Sequence, residues 1–367
     1  MKKRRKIILI SGAVLIAIML INIGQYAITR WYPINIDWET INDSVNSEEV
    51  SQDNYICYGK ENGITNIPFM MGCKIILQSI ETGKKHVVLE DINPLKGVAE
   101  SAIIGDNILY YKQFMGEQYD GPPQAMNLKS KKSEWKTLPE DIDLINYGIE
   151  GHHLYYYESN NSPKEREVYC YNLKTGEQEK IAEGRQWETL KVLGEYVYLF
   201  DQEKSELVAI SINDRQRKTW LLQMENPQEL VDITNLDEQN LAVIIFNEKI
   251  VKLDIETGEQ ETILSLNNLE SAKQQKENDD RWYGAMARGG SLYVYENERY
   301  LYVYRLNLET RKTELIVDGS KDAHYKAKDE FSSYVTFCRD YIACIYQYKK
   351  STRIDVYNYN GEFVKEL

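Results

Sequence analysis

An all-β chain assembled from one repeated four-strand unit is the fold this sequence predicts, and three observations predict it. Tyr outnumbers Phe 28 to 7 and Val, Ile and Thr are common, a composition that suits pleated, half-buried surfaces. A hairpin signature of the form (Asn/Ser/Asp)-(Leu/Ile)-x-(Thr/Ser)-Gly recurs along the chain. The spacing of apolar residues is that of short strands, and nowhere does it hold the 3-and-4 rhythm of a helix for a dozen residues.

The clearest copies of the signature end at Gly176 in Tyr169–Gly176 and at Gly258 in Val251–Gly258. Ile75–Gly83 and Tyr302–Arg311 match closely, and 125–131, 208–215 and 356–361 are weaker copies. The turn positions 83, 131, 176, 215, 258, 311 and 361 lie 39 to 53 residues apart, about 46 on average. A period of ~40–50 residues carried only by strands is that of propeller blades, four antiparallel strands each. The predicted architecture is therefore a β-propeller, with seven four-stranded blades as the count and six or eight as the neighbouring counts if an end unit is split. The x-Thr-Gly tip fits a hairpin loop that closes on a residue with positive φ, which glycine adopts freely. Where Lys131, Arg215 and Arg311 stand in its place, the backbone either bears roughly 1 kcal/mol of strain or adopts another turn.

Taken in order, residues 1–6 hold the basic cluster Lys2, Lys3, Arg4, Arg5 and Lys6. Residues 7–28 follow without a formal charge, just long enough for a transmembrane helix of about 20 apolar residues. Basic residues before such a stretch place the N-terminus in the cytoplasm and the remainder outside. An uncleaved signal anchor is the expectation. A cleaved signal peptide is the competing one, although Gln25 at −3 from Ala27 fits the small-residue cleavage pattern poorly. Residues 29–50 read as a linker with a possible first strand, and 51–367 as the propeller domain.

Within that domain the first unit shows two clear strands, 54–58 and 74–79, and a poor innermost one somewhere in 37–52. The third unit reads as strands A to D over 143–149, 153–158, 168–173 and 177–182. The fourth reads as 188–193, 196–200, 207–212 and 218–222. The remaining units centre on 108–112, 241–246, 292–295 and 341–346.

The chain carries 44 Lys+Arg against 57 Asp+Glu, a formal charge of −13 that becomes −18 without the five N-terminal cations. This balance excludes nucleic acid as an expected partner, because phosphate backbones select basic surfaces. Five cysteines (Cys57, Cys73, Cys170, Cys338 and Cys344) form no zinc spacing and no dense disulfide framework. Cys57 with Cys73, or Cys338 with Cys344, remain open as pairs across neighbouring strands, with buried free thiols as the plainer reading. His86, His152, His153 and His324 are scattered, so no metal site is expected.

The repeated strands Leu154–Tyr157 and Leu292–Tyr295 and the hairpin Tyr171–Glu177 give the chain, over about residues 50–367, an organisation that resembles bacterial exported β-propeller repeat proteins, and more loosely the TolB-like and YWTD-like propellers. That resemblance implies a fold rather than a chemistry.

In an up-and-down blade the A–B and C–D turns share one end and the B–C and D–A connections the other. The signature hairpins trim the first end closely. The insertions fall on the second: 59–72 with Phe69, Met70 and Met71; 113–124 with Phe114, Met115 and Tyr119; and 267–283 ending in Trp282 and Tyr283. Apolar loop tips gathered on a rigid scaffold mark a recognition surface. Against this stand two plainer expectations: Phe69, Met70 and Met71 plug the channel, and Trp282 and Tyr283 open the next A strand.

No G-x-S-x-G elbow, sialidase-type Asp-box, EF-hand loop or Gly-rich phosphate cradle is present, and no cofactor is expected. Glycoside hydrolysis needs only two well-placed carboxylates, for which Glu277, Asp279 and Asp280 are candidates, although an acidic run is ordinarily a solvated loop. The expectation is a non-enzymatic binding or scaffold module outside the membrane, with an envelope protein or cell-wall polymer as partner. A carbohydrate-active enzyme at the channel mouth is the alternative.

Overall fold

The computed structural model describes residues 55–61, 73–91, 96–104, 108–115, 118–119, 124–127, 135–138, 142–158, 166–185, 187–224, 230–245, 248–269, 282–297, 300–321, 331–348 and 352–367. These residues form seven antiparallel sheets, each built from strands consecutive in sequence.

The first sheet joins β1 (Tyr55–Glu61), β2 (Cys73–Ser79) and β3 (Lys85–Asp91). The second joins β4 (Lys96–Ile104), β5 (Ile108–Met115), β7 (Gln124–Asn127) and β8 (Trp135–Thr137), with β6 (Gln118–Tyr119) paired to the end of β5. Four strands make each later sheet. The third contains β9 (Ile142–Glu150), β10 (His153–Glu158), β11 (Arg166–Asn172) and β12 (Gln178–Arg185). The fourth contains β13 (Trp187–Leu193), β14 (Tyr196–Asp201), β15 (Glu206–Ser211) and β16 (Arg217–Leu221). In the fifth are β17 (Leu230–Asn235), β18 (Asn240–Ile245), β19 (Lys249–Asp254) and β20 (Gln260–Ser265). In the sixth are β21 (Trp282–Arg288), β22 (Ser291–Asn297), β23 (Leu301–Asn307) and β24 (Thr313–Asp318). The seventh ends the chain with β25 (Phe331–Phe337), β26 (Tyr341–Tyr348), β27 (Thr352–Asn358) and β28 (Phe363–Glu366).

The expected strands of the third and fourth units match these within one to three residues, and the fraying at their ends is ordinary. The expected first strand in 37–52 and the stretch 7–28 lie outside the described residues. No helix of the described residues is long and apolar enough to cross a membrane.

The central strands are buried on both faces, which is why they read as unbroken apolar runs. In β14, Val197 and Leu199 join a core with the third sheet, while Tyr198 and Phe200 join one with the fifth. In β18, Ala242 and Ile244 face the sixth sheet and Leu241, Val243 and Ile245 the fourth. Each core thus lies between two sheets rather than inside one. Seventh and first sheets also share a core: Ala343, Ile345, Ile354 and Val356 pack with Ile56, Tyr58, Ile76 and Ile80. The Lys365 ammonium donates to the Glu81 carbonyl across that junction at 2.7 Å. Face-to-face packing therefore brings the last sheet onto the first, and among the described residues no strand of one is inserted in the other.

The repeated hairpin explains its own consensus. Gly176 N–H donates to the Asn172 carbonyl (2.8 Å), and the equivalent bond recurs from Gly83 to Ser79, Arg215 to Ser211, Gly258 to Asp254 and Arg311 to Asn307. The Asn172 side-chain oxygen accepts from the Lys174 and Thr175 amides, and Thr175 Oγ1 accepts from Glu177 N–H. The Leu or Ile of the second position sends its own amide to the neighbouring A–B turn: Leu173 to His152, Ile212 to Glu195, Ile255 to Gln239 and Leu308 to Gly290. The closing residue has positive φ in every described case, 79° at Gly176, 61° at Arg215 and 58° at Arg311. The two arginines keep the strained turn rather than choosing another, while Lys131 lies outside the described residues.

Asn172→Ala is expected to lower stability by about 1 kcal/mol in urea unfolding, since two amides lose their acceptor. At Asp254 the Thr257 and Glu256 amides hold the carboxyl below its ordinary 3.8, against a smaller effect of burial. A carboxyl depressed on folding stabilises at pH above its unfolded value and loses that contribution as pH falls through the folded one. Asp254→Asn should therefore fall below the parent protein at pH 7 and approach it at pH 3, read as urea midpoints.

The cysteine alternatives are resolved by register. Cys57 pairs with Leu77, and Cys73 pairs with Glu61, four positions along, too far for a disulfide. Cys338 lies in the core shared with the first sheet and Cys344 in the core shared with the sixth, on opposite faces of the seventh. Cys57, Cys170, Cys338 and Cys344 are free thiols.

Candidate functional site

The structure places the sequence-predicted binding residues unevenly. Phe69, Met70 and Met71 lie outside the described residues, as do Glu277, Asp279 and Asp280. Phe114 and Met115 are not loop residues: β5 continues through them, pairing Phe114 with Gly97 and Met115 with Lys96 of β4. The two-residue β6 then folds back, so that Phe114 pairs with Tyr119 and Met115 with Gln118. The insertion of the second unit is thus a raised hairpin. Trp282 opens β21 opposite Asn297, as the plainer expectation had it. Tyr283 is 4% exposed in the core between fifth and sixth sheets.

Around the same long-loop end, Asp201, Asp318 and Asp355 are each engaged by a cation. Asp201, at the end of β14 and 2% exposed, accepts from Arg185 at 3.2 Å, and Glu206 lies 3.6 Å from the same guanidinium. Arg185 in turn stacks 5.5 Å from the Trp187 ring, whose Nε1 donates to the Glu183 carbonyl. Asp355 pairs with Arg353 at 2.9 Å, and Arg353 sits 4.6 Å from the Tyr346 ring. Burial alone would raise the Asp318 carboxyl, but Lys321 at 2.8 Å and the Ser320 hydroxyl hold it below the usual range. Each acid meets a cation, an arrangement that fixes loop bases rather than shuttling protons. Among the described residues no group of three His, Cys, Asp or Glu is arranged to hold a metal ion.

Sequence reasoning missed a second constellation on the inner strands. Asp232 of β17 accepts from Lys191 of β13 (3.1 Å), from Ile233 N–H (2.9 Å) and from Ala285 N–H of β21 (3.3 Å). One carboxylate thereby spans the inner strands of three successive sheets. Tyr295 lies within reach of both charges because residue 284 is glycine. A Cβ there would stand 2.6 Å from Cζ and from the hydroxyl oxygen of the tyrosine. Burial pushes the Tyr295 phenol up to about 12, with Asp232 adding to the rise and Lys191 opposing it. The only local trace of this arrangement is a charged residue inside the apolar run Leu230-Val-Asp-Ile233.

Four-strand sheets repeating in chain order, packed face to face with first against last, are the arrangement of a closed ring of blades. The sequence matches no protein-family model and no curated protein sequence. Solved structures of this architecture match it. A prolyl endopeptidase structure aligns with a TM-score of 0.57 at 9% identity, over 89% of this chain and 49% of that one. The chain therefore spans about half the length of that endopeptidase. A chain of a mitotic checkpoint complex aligns with a TM-score of 0.52 at 9% identity, over 82% and 83% of the two chains. The computationally designed protein Ika8 aligns at 0.48 and 11% identity over 88% and 89%.

The chain has a β-propeller fold. Propeller geometry then gives the two ends their meaning. The described A–B and C–D turns form one hydrogen-bonded end. The opposite end carries the β5–β6 hairpin and the longest connections of the sequence.

Proposed function

We propose that this protein is a seven-bladed, membrane-tethered propeller outside the cytoplasm that binds an envelope protein or cell-wall polymer through its long-loop end, without catalysis. One observation carries the reading: the asymmetry between an end trimmed to near-identical hairpins and an end bearing every long insertion. Selection for packing alone has no use for that difference, whereas a binding face does. Phe69, Met70, Met71, Phe114, Met115, Tyr119 and Trp282 are the residues assigned to the face, with Tyr283 beneath it. Residues 7–28 supply the tether and the basic residues before them the orientation. The paired state of Asp201, Asp318 and Asp355 supports binding over acid–base chemistry. Fold alone does not choose, since the endopeptidase and the checkpoint complex share it.

The test uses the full-length protein in mild detergent beside a variant with the 62–72, 116–123 and 270–281 connections shortened. Both are offered solubilised envelope proteins and, separately, wall polysaccharide. Retention of a partner by the first and its loss by the second is the expected result. If both retain the same partner equally, the long-loop end is not the binding face. Release of reducing ends from the polysaccharide, abolished by a single Asp or Glu change, would replace the module by a carbohydrate-active enzyme.

A further inference from the structure

In five of the described hairpins the left-handed closing residue faces the preceding sheet of the ring, and it is arginine in the fourth and sixth sheets and glycine in the others described. Gly83, Gly176, Gly258 and Gly361 close the hairpins of the first, third, fifth and seventh sheets, while Arg215 and Arg311 close those of the fourth and sixth. What they face differs as well. Arg215 donates to Glu179 on β12 of the third sheet at 2.7 Å, and Arg311 to Glu261 on β20 of the fifth at 2.8 Å. Both glutamates stand three residues after their own hairpin's glycine; three residues after Arg215 comes Lys218. Three of the glycines face apolar groups instead, while Gly176 faces the Tyr171 hydroxyl of its own sheet. A Cβ on Gly258 would lie 3.2 Å from Trp220 Cδ1 of β16, and one on Gly361 2.8 Å from Ile316 Cβ of β24. On Gly83 it would lie 3.6 Å from Leu367 Cδ2.

We infer that these two kinds of boundary, arginine on glutamate and glycine on an apolar side chain, act as an address that fixes which sheet follows which. The cores between sheets cannot do this, because all are drawn from the same Val, Ile, Leu and Tyr and tolerate exchange of similar volumes. The boundaries can. An arginine hairpin set against the fourth sheet's outer strand meets Lys218, a like charge, where its carboxylate should be. Glu179 or Glu261 set against a glycine hairpin loses its arginine across the boundary; Glu314, which stands at the same offset on β24 and natively faces a glycine hairpin, is instead held by Arg305 of its own sheet. This also accounts for two L-residues held at positive φ, which a glycine in either place would relieve. Exposed ion pairs contribute little to stability, so the pairs are better explained by what they discourage. The misassembly discouraged is exchange of sheets between chains or out of order, the characteristic failure of repeat proteins.

The test is a charge exchange in the full-length protein, refolded from urea and read as the fraction recovered as monomer by size exclusion, with the unfolding midpoint measured in parallel. Arg215→Glu and Glu179→Arg should each lower monomer recovery by about two- to fivefold, in keeping with a surface pair. The exchanged pair together should restore it. The uncharged pair, Arg215→Gly with Glu179→Gln, keeps or raises the unfolding midpoint yet still recovers less monomer. Recovery of that uncharged pair equal to the parent's, or an exchanged pair no better than the worse single change, would overturn the address.

Discussion

Alanine at position 148 is expected to destabilise the protein by about 3 kcal/mol, a large share of the roughly 5–15 kcal/mol that holds a typical domain together. Gly148 sits in β9, the inner strand of the third sheet, where β13 of the fourth comes closest. A Cβ built there stands 2.8 Å from Val192 Cβ and 2.9 Å from Val192 N. The second of these contacts is backbone, so no rotamer change relieves it. The two inner strands would have to part, and with them the core formed by Tyr155, Tyr157, Leu190 and Leu199 just outside them. Urea unfolding of Gly148→Ala measures the loss. Adding Val192→Ala should recover only part of it, because the backbone contact remains. Full recovery would show that the side chain alone sets the spacing. An unchanged midpoint for the single variant would show that the inner strands have slack.

Ile345→Ala is expected to cost about 3–4 kcal/mol by the usual toll of removing a fully buried side chain. Ile345 is 0% exposed in the core between the seventh and first sheets. Every other junction between consecutive sheets is also bridged by the chain itself; among the described residues this one is held by the apolar core and the Lys365 bond to Glu81. The damage should therefore be local before it is global. Hydrogen exchange of Ile345→Ala should quicken in β1, β2, β26 and β27 while β14 and β18 retain their protection. Val243→Ala, equally buried between the fourth and fifth sheets, serves as the comparison. Uniform acceleration across all sheets in Ile345→Ala would mean that the ring opens only as a whole.

Much of this fold is legible in the sequence because its determinants are local. The hairpin signature works through bonds spanning two to five residues, as at Asn172 to Glu177, so its residue types recur at fixed offsets. The unbroken apolar runs of β14 and β18 follow from burial on both faces. The β5–β6 hairpin is less legible, since Phe114-Met-Gly-Glu-Gln-Tyr119 has the look of a loop and becomes strand through pairing with β4. The Asp232 constellation is illegible, because its partners Lys191 and Ala285 stand 41 and 53 residues away and carry no recurring motif. Arg215 and Arg311 fall between these cases. Their departure from the glycine rule is plain in the sequence, but the glutamates that give it sense, 36 and 50 residues back, appear only once the sheets are stacked.

The packing of the seventh sheet on the first makes the ring indifferent to where its polypeptide starts. Among the described residues no sheet borrows a strand from another, so a break in a connection between consecutive sheets severs one covalent link and leaves the described strand ladders whole. Leu367 packs into the core against the first sheet, beside the β2–β3 hairpin. A short peptide from there to the start of β1, in place of residues 1–54, would turn the described ring into a topological circle, in which any of the other connections can serve as the new origin.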